Sequence, residues 1–464
     1  MKRLNQKITL TLAFLLVHTF AWSQTVPEKV AAAYQAFEQD PQLQNAITSL
    51  YITDAKTGKV VFDKNSRIGL APASTMKLIT SISAYELLGT GFKYETKFAY
   101  RKGKGPAELL MLPGGDPTLG SWRWPETKES AVLQGLTKSL QKTGVKSFRN
   151  VLVANEGWND ETVPDGWMWQ DIANYYGAGP AKLNWRENQY DVILQSGTKI
   201  GDPVAIVKTV PALNGYTLHS ELTAAAAGTG DNAYIYFPLS TSAATIRGTI
   251  PVNERSFKIS GAMPSAARQF VATLSDTLRT VGIKLPKSVT EHHLALPYAD
   301  YTVFHTITSP PLDSVIYWFN RRSINLYGEA LVKTIAAKHT PDSRTSNGLK
   351  EIRAFWKERG LPETELSMVD GSGLSPLNRV TTHAQVQLLQ HARLQPWYNG
   401  IYTSLPTFNG MKMKSGTIRG VKGFCGYHKS ADGQEYVFSF IVNNYNGSAS
   451  ALVKKMYKVL DELK

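Results

Sequence analysis

Three short polar motifs, far apart in the chain, constrain the fold more than any other feature. They are Ser-Thr-Met-Lys at 74–77, Ser-Ile-Asn at 323–325 and Lys-Ser-Gly-Thr at 414–417. In the first motif, a serine and a lysine three residues apart share one face of a helix, with Cβ atoms about 5–6 Å apart. A serine hydroxyl is a weak nucleophile and needs such an adjacent base. If the three motifs form one serine acyl-transfer site, the fold must bring together segments from distant parts of the chain.

Similar short patterns occur elsewhere, but their context does not favour a catalytic role. They lie at 139–142 and 196–199 (Ser-x-x-Lys) and at 56–58 and 142–144 (Lys-Thr-Gly). The pattern at 56–58 separates two apolar runs and is typical of a hairpin turn. Ser139 lies in a polar stretch, and Gly197 interrupts the pattern that begins at Ser196. The Ser-Ile-Asn motif, by contrast, is the only Ser-x-Asn in the sequence, so we favour the three-motif site over coincidence.

The N-terminus has the pattern of a secretory signal peptide. A basic start is followed by an apolar run from Ile8 to Trp22 and by small residues at Ala21 and Ser23. A membrane anchor is the alternative, but the run is shorter than the ~20 residues that a span needs. We therefore expect residues 1–23 to be a signal peptide cleaved near Ser23, and the mature chain to be exported, to the periplasm in a double-membraned cell.

Composition narrows the choice of partners and cofactors. The chain has 464 residues, 42% of them hydrophobic, and a formal charge of +14. Its basic residues are scattered, without the stripe and interleaved aromatics of a nucleic-acid interface, so we expect no nucleic-acid partner. Peripheral association with an anionic membrane or envelope polymer remains an alternative to a merely solvated basic surface. The single Cys425 and the absence of a metal-ligand motif predict no disulfide, no metal site and no cofactor.

Secondary-structure patterns at the two ends of the chain predict one shared sheet. Apolar spacing predicts a helix over 73–88, ended by Gly89, with Ser74 in its first turn. Three strands are predicted at 410–418, 423–428 and 435–443, followed by a helix at 451–463. With the early hairpin around 56–58, these elements indicate an α/β (α+β) fold with a central antiparallel sheet flanked by helices.

The long separation of the first two motifs predicts an inserted region. We expect a split catalytic domain at 24–96 and 265–464 and an inserted, mostly β region at 97–264. Residues 192–260 are rich in Thr, Ala, Gly and β-branched residues, so this part of the insertion is predicted to be a nested β domain.

Several longer stretches strengthen the three-motif pattern, and they are distributed over nearly the whole mature chain. They are Pro-Ala before Ser74, Gly-Gly-Asp-Pro-Thr-Leu at 114–119, Asp-Gly-Trp at 165–167 with Asp171 and Tyr175-Tyr176, Ser-Pro-Pro-Leu at 309–312, Glu-Ala-Leu at 329–331, and Asp-Gly-Ser-Gly-Leu-Ser at 370–375 with Asn378-Arg379. In these stretches the chain resembles the class C penicillin-binding proteins, the D-alanyl-D-alanine carboxypeptidases and endopeptidases of the S13 type.

The resemblance implies a serine β-lactamase/transpeptidase-like fold and hydrolysis of D-alanyl bonds in peptidoglycan stem peptides. β-Lactam antibiotics would acylate the same serine as substrate mimics. Two departures from the family pattern stand out. Ala154 takes the place of an acidic residue that relatives use for the amine of the stem side chain, and Ser415 replaces the usual threonine of the third motif.

The residue chemistry gives each motif residue an expected role. Ser74 is the nucleophile and Lys77 its general base, with a pKa lowered by burial and by the nearby charge of Lys414. Ser323 passes a proton to the leaving amine, and Asn325 positions the substrate amide and Lys77. The residues expected to bind the substrate carboxylate and to form the oxyanion hole, with the backbone N–H of the nucleophile, are Ser415, Gly416 and Thr417.

Two other functions remain open from the sequence. A β-lactamase-like hydrolase would use the same motifs but needs a deacylating carboxylate, for which no segment after the first motif is an obvious source. A catalytically silent peptidoglycan-binding module would have no need of an intact hydroxyl and two motif lysines.

Overall fold

The computed structural model describes residues 24–238, 241–294 and 298–464. The predicted signal peptide at 1–23 lies outside the described residues. Among those described, no helix is both long and apolar enough to cross a membrane.

The central sheet joins the two ends of the chain, as the sequence predicts. Its six antiparallel strands lie in the order β16-β17-β18-β19-β1-β2. Their bounds are β1 Ile47–Asp54, β2 Val60–Lys64, β16 Thr407–Phe408, β17 Met411–Ile418, β18 Val421–Lys429 and β19 Glu435–Asn443. Ile47 in the first strand pairs with Asn443 in the last. The N-terminal hairpin and the C-terminal hairpins therefore form one surface on which the nucleophile turn packs.

Eleven α-helices are present among the described residues. They are α1 Val26–Glu38, α2 Lys77–Leu88, α3 Glu129–Thr143, α4 Trp169–Ile172, α5 Ala266–Arg279, α6 Leu312–Arg322, α7 Asn325–His339, α8 Thr345–Lys357, α9 Thr382–Arg393, α10 Tyr398–Ser404 and α11 Ala449–Asp461. Helices α1 and α11 share one apolar core with the central sheet. Helices α2, α6, α7 and α9 form the core on the other side, so the sheet is flanked by helices on both faces.

The nucleophile helix begins differently from the prediction. Residues Ala73–Met76 form one turn of 3₁₀ helix, and the α-helix starts only at Lys77. The backbone at Ala73 is left-handed, with φ +46°, which separates this turn from the preceding chain. Gly89 ends the helix with φ +83°, as predicted. Ser74 therefore lies on a tight turn ahead of the buried helix rather than within it.

The insertion is built around a mixed five-stranded sheet. Its strand order is β12-β5-β4-β3-β13, with β3 Glu95–Arg101, β4 Ala107–Leu112, β5 Phe148–Ala154, β12 Thr290–His292 and β13 Thr302–Thr308. β13 pairs antiparallel with β3, and Phe270 of α5 packs in the same core as Phe98 of β3. The sheet extends past residue 264, the predicted end of the insertion, because a strand from each end of the region, β3 and β13, closes it.

Two three-stranded sheets lie in the part of the insertion predicted to be a β domain. One has the order β11-β6-β7 and the other β8-β10-β9. Their strands are β6 Gln189–Gln195, β7 Ala205–Val210, β8 Thr217–Ala225, β9 Asn232–Tyr236, β10 Ala243–Pro251 and β11 Phe257–Ala262. Two short strands, β14 Leu366–Ser367 and β15 Arg379–Val380, pair with each other in the catalytic region.

Candidate active site

The 3₁₀ turn places the hydroxyl of Ser74 beside the amine of Lys77, with Oγ and Nζ 2.9 Å apart. Lys77 Nζ also contacts Asn325 Oδ1 and the carbonyl oxygen of Ser372, each at 2.7 Å. Both of these oxygens can only accept hydrogen bonds. A neutral amine would give them its two protons and keep its lone pair for the Ser74 O–H. This arrangement suits a lysine that acts as a base.

Burial favours the neutral form of the Lys77 amine. The Lys77 side chain is fully buried, and burial lowers its pKa to about 7, against the opposing effect of the Asp370 and Glu329 carboxyl groups. The sequence-based expectation named both burial and the charge of Lys414 as causes of this lowered pKa, and burial is the leading cause in the structure.

Two buried carboxyl groups lie behind the lysine. Glu329, on the second turn of α7, accepts a hydrogen bond from the Gly371 backbone N–H at 2.9 Å. Burial, and then the neighbouring Asp370, raise the pKa of Glu329 to about 8. Asp370 accepts hydrogen bonds from Trp167, Gly373, Ser375 and Asn378. These contacts fix the loop whose Ser372 carbonyl receives the Lys77 amine.

The second motif connects α6 to α7. Ser323 adopts a left-handed backbone with φ +57°, and Asn325 is the first residue of α7. The Asn325 side chain accepts from Lys77 and donates its Nδ2–H to the backbone carbonyl of Tyr176 at 2.7 Å. Tyr176 belongs to the insertion, so the inserted region takes part in positioning this asparagine.

The third motif lies on β17 and faces the second. Lys414 Nζ donates to Ser323 Oγ and to the Ser415 carbonyl, both at 2.9 Å. Burial, followed by the charges of Lys77 and Lys422, holds the pKa of Lys414 well below its usual range. The predicted catalytic residues thus form two hydrogen-bonded groups, one around Lys77 and one around Lys414.

A glycine is required where β17 passes the nucleophile turn. A Cβ atom at Gly416 would lie 2.6 Å from the Pro72 carbonyl oxygen and 2.9 Å from the Ser74 backbone nitrogen. Real Cβ atoms do not approach backbone atoms so closely. The neighbouring Thr417 accepts a hydrogen bond from Lys422 at 2.8 Å. The glycine therefore lets the third motif lie directly against the nucleophile.

A cavity of about 1230 Å³ opens over these residues. Ser74, Ser323, Asn325 and Thr417 line its catalytic side. The insertion contributes the opposite side, and its lining residues include Arg123, Met168, Gln170, Asp171, Tyr175, Tyr176, Gln189 and Tyr234. The cavity is large enough for a peptide segment and lies between the catalytic region and the insertion.

Comparison with known proteins decides the family. The family model described as the D-Ala-D-Ala carboxypeptidase 3 (S13) family matches residues 30–463. The chain belongs to this family. This membership confirms the predicted resemblance, the fold class and the serine carboxypeptidase class of the function.

Individual relatives and solved structures of S13 type agree with this assignment. A D-alanyl-D-alanine carboxypeptidase from Actinomadura sp. (strain R39) is 26% identical over 90% of this chain and 82% of its own length. The D-alanyl-D-alanine carboxypeptidase DacB from Haemophilus influenzae is 21% identical over 84% of this chain and 83% of its own. The crystal structure of penicillin-binding protein 4 from H. influenzae has a TM-score of 0.77, with 18% identity, and covers 93% of this chain and 98% of that one. A complex of that protein with a β-lactam has a TM-score of 0.72.

Ala154, expected from the sequence to replace an acidic residue of relatives, is buried in β5 against Ala99 and Leu110. It is not among the residues that line the cavity, and its effect on substrate recognition stays a prediction. The carboxylate that does line the cavity is Asp171, whose pKa burial raises. The sequence placed Asp171 in a signature stretch, but its position at the cavity depends on how the insertion folds back over the second motif.

Proposed function

We propose that the chain is an exported serine D-Ala-D-Ala carboxypeptidase that hydrolyses D-alanyl bonds of peptidoglycan stem peptides, at chain ends and in cross-links, through an acyl-enzyme on Ser74. The observation that carries this proposal is the fully buried Lys77 amine in hydrogen-bond contact with the Ser74 hydroxyl. Its two acceptor-only neighbours leave the lone pair of the neutral amine for the serine proton.

In the acylation step, Lys77 Nζ takes the proton of Ser74 Oγ as that oxygen attacks the D-alanyl carbonyl carbon. Negative charge develops on the carbonyl oxygen, where the backbone N–H groups of Ser74 and Thr417 form the oxyanion hole. One such donor is worth about 10²–10³ in rate in enzymes from which it was removed. The closeness of β17 to the nucleophile turn, at Gly416, supports this pairing of donors from two elements.

Collapse of the tetrahedral intermediate requires a proton for the leaving amine. The Ser323 hydroxyl gives its proton to that nitrogen and is reprotonated by the proton that Lys77 took from Ser74, so Lys77 becomes neutral again. Lys414, whose Nζ donates to Ser323 Oγ, holds this hydroxyl in place. The C–N bond breaks, D-alanine leaves, and the acyl group stays on Ser74. A water molecule then attacks the ester with Lys77 again as the base, which restores the serine and releases the shortened stem.

A terminal carboxylate fits the groups around the third motif. Lys414, Ser415 and Thr417 present an amine and two hydroxyls, and burial lowers the pKa of the Lys414 amine. A bound carboxylate would favour the ammonium form of Lys414 by direct charge attraction. We assign the D-Ala carboxylate of the substrate and the carboxylate of β-lactams to this position.

The β-lactamase alternative receives less support from the cavity. Asp171 is the one carboxylate among its described lining residues, and its side chain is bonded to Tyr176 at 3.3 Å. A silent binding module would also have no use for the buried lysine base. The predicted export and periplasmic location rest on the N-terminal sequence pattern alone.

The test is covalent labelling of the purified mature protein by penicillin, read as intact mass. A long-lived adduct on the wild type and none on Ser74→Ala is the expected result. Ser139→Ala is the matched control, since Ser139 also begins a Ser-x-x-Lys pattern but hydrogen-bonds to His305 in the insertion. Rapid drug hydrolysis without an adduct would favour the β-lactamase. Intact drug and no adduct would refute the acyl-enzyme proposal.

A further inference from the structure

Three of the four most exposed aromatic side chains of the described residues lie near the cavity. The four are Trp169 at 54%, Tyr175 at 52%, Trp122 at 48% and Tyr298 at 38% exposure. Tyr175 lines the cavity, Trp169 lies between the lining residues Met168 and Gln170, and Trp122 precedes the lining residue Arg123. Tryptophan is highly buried on average, so an indole left half exposed next to a catalytic cavity points to a partner.

Two of these aromatic side chains, with two exposed aliphatic ones, form what we call the aromatic ridge: Trp169, Tyr175, Met168 and Leu377. Met168 and Leu377 are 45% and 56% exposed. Leu377 comes from the catalytic region but lies against the insertion, since a Cβ atom at Gly166 would be only 2.6 Å from its Cδ1. The ridge thus spans the junction of the two regions beside the cavity.

Packing contacts hold the two aromatic side chains of the ridge in place. The Trp169 ring packs against Tyr236 of β9, with ring centroids 5.0 Å apart, and Arg247 covers the same tyrosine at 5.4 Å. Tyr175 packs edge-on against Tyr176, with ring centroids 5.3 Å apart, and the Tyr176 carbonyl binds the catalytic Asn325. A ligand on the ridge would therefore be held in fixed relation to the active site.

Charge favours an uncharged partner. The segment 166–181 carries no Lys or Arg, in a chain whose formal charge is +14. A surface that binds anionic lipid would concentrate basic residues beside its apolar ones. Arg247, which covers Tyr236, is already paired with the carboxylate of Glu221. Exposed Trp and Tyr beside a neutralised cation instead suit a ligand with apolar C–H faces and polar edges, such as a sugar ring.

We propose that the aromatic ridge binds the glycan strand of peptidoglycan, with sugar rings stacked on Trp169 and Tyr175 while the attached stem peptide occupies the cavity. This inference rests on the proposed function and deepens it. It makes glycan-linked stems the preferred substrate over the same stem as a free peptide. The ridge then contributes substrate affinity and takes no part in the chemistry at Ser74.

The experiment compares Trp169→Ala with wild type in three assays on the mature protein. These are D-Ala release from glycan-linked stem peptides, D-Ala release from the same free peptide, and acylation by penicillin. We expect Trp169→Ala to lower kcat/KM on the glycan-linked substrate about tenfold, the loss expected for one stacked aromatic ring. The free-peptide and penicillin rates should stay within about twofold, because the variant leaves the catalytic groups in place.

Controls separate the ridge from the fold and from the proposed chemistry. Trp169→Phe keeps an aromatic face and should restore most of the glycan-linked rate. Leu394→Ala removes an apolar side chain that is 84% exposed and lies outside the ridge, and should change none of the three rates. If wild type itself is not acylated by penicillin, the proposed function fails, whatever the ridge does.

Three results would overturn the glycan proposal. One is an unchanged rate of Trp169→Ala on the glycan-linked substrate. Another is an equal loss on the free peptide, which would place Trp169 at the stem. The last is binding of wild type to anionic lipid vesicles that Trp169→Ala abolishes, with no change on glycan-linked stems.

Discussion

Replacing Glu329 by glutamine should make the enzyme more active in acid. The Lys77 amine must be neutral to take the serine proton, and carboxyl groups at Glu329 and Asp370 raise its pKa against the dominant effect of burial. Glutamine removes one of these negative charges and keeps a carbonyl oxygen for the Gly371 N–H that now binds Glu329. The ammonium form of Lys77 then loses a counter-charge, so its pKa falls and the acid limb of the acylation profile moves to lower pH.

The size of the shift in the Lys77 pKa depends on how far the Glu329 carboxyl is ionised. An opposite charge a few ångströms away shifts a pKa by about 1–3 units. Because the pKa of Glu329 is itself raised to about 8, its carboxyl is mostly protonated below neutrality, so we expect only a fraction of that shift, about 0.3 unit. With a wild-type Lys77 pKa of about 7, a drop of about 0.3 unit raises the neutral fraction at pH ~6 about twofold.

The assay is the single-turnover rate of penicillin acylation, measured from about pH 5 to about pH 9 to bracket both values. Glu358→Gln is the matched control, since it removes an exposed carboxylate just beyond α8 and should leave the acid limb in place. A uniform loss of rate in Glu329→Gln, with an unmoved limb, would show that the glutamate only supports the loop. A limb displaced to higher pH would refute the electrostatic reasoning.

Three further predictions concern the other motifs and the core. Ser323→Ala removes the hydroxyl bonded to Lys414 and should slow acylation by about 10²–10⁴, measured by intact mass against time. Gly416→Ala places a methyl group 2.9 Å from the Ser74 nitrogen and should lower acylation at least about 10²-fold by displacing the oxyanion donors, measured in the same way. Leu331→Ala opens a cavity at a fully buried position of α7 and should lower the free energy of unfolding by about 2–5 kcal/mol, measured by urea denaturation.

The sequence predicted those parts of the fold that depend on local patterns. The strand predicted at 435–443 matches β19 to the residue, because a nearly continuous apolar run and flanking turns mark its ends. The extension of the five-stranded sheet past residue 264 was not predicted, because the pairing of β13 with β3 joins segments about 200 residues apart and has no local signal. The same limit applies to the site. The motifs identify Lys77, but only the packed structure shows that Glu329 is a buried carboxyl behind it.

The insertion is part of the catalytic site rather than an appendage to it. An asparagine amide can present either its oxygen or its nitrogen to a neighbour. The Tyr176 carbonyl, which comes from the insertion, can only accept, so the Asn325 nitrogen faces Tyr176 and its oxygen faces Lys77. That oxygen is one of the two acceptors that orient the lysine lone pair toward Ser74. In the proposed mechanism the fold of the insertion therefore helps to orient Lys77 as the general base, and a change that moves Tyr176 should impair acylation even when all three motifs are intact.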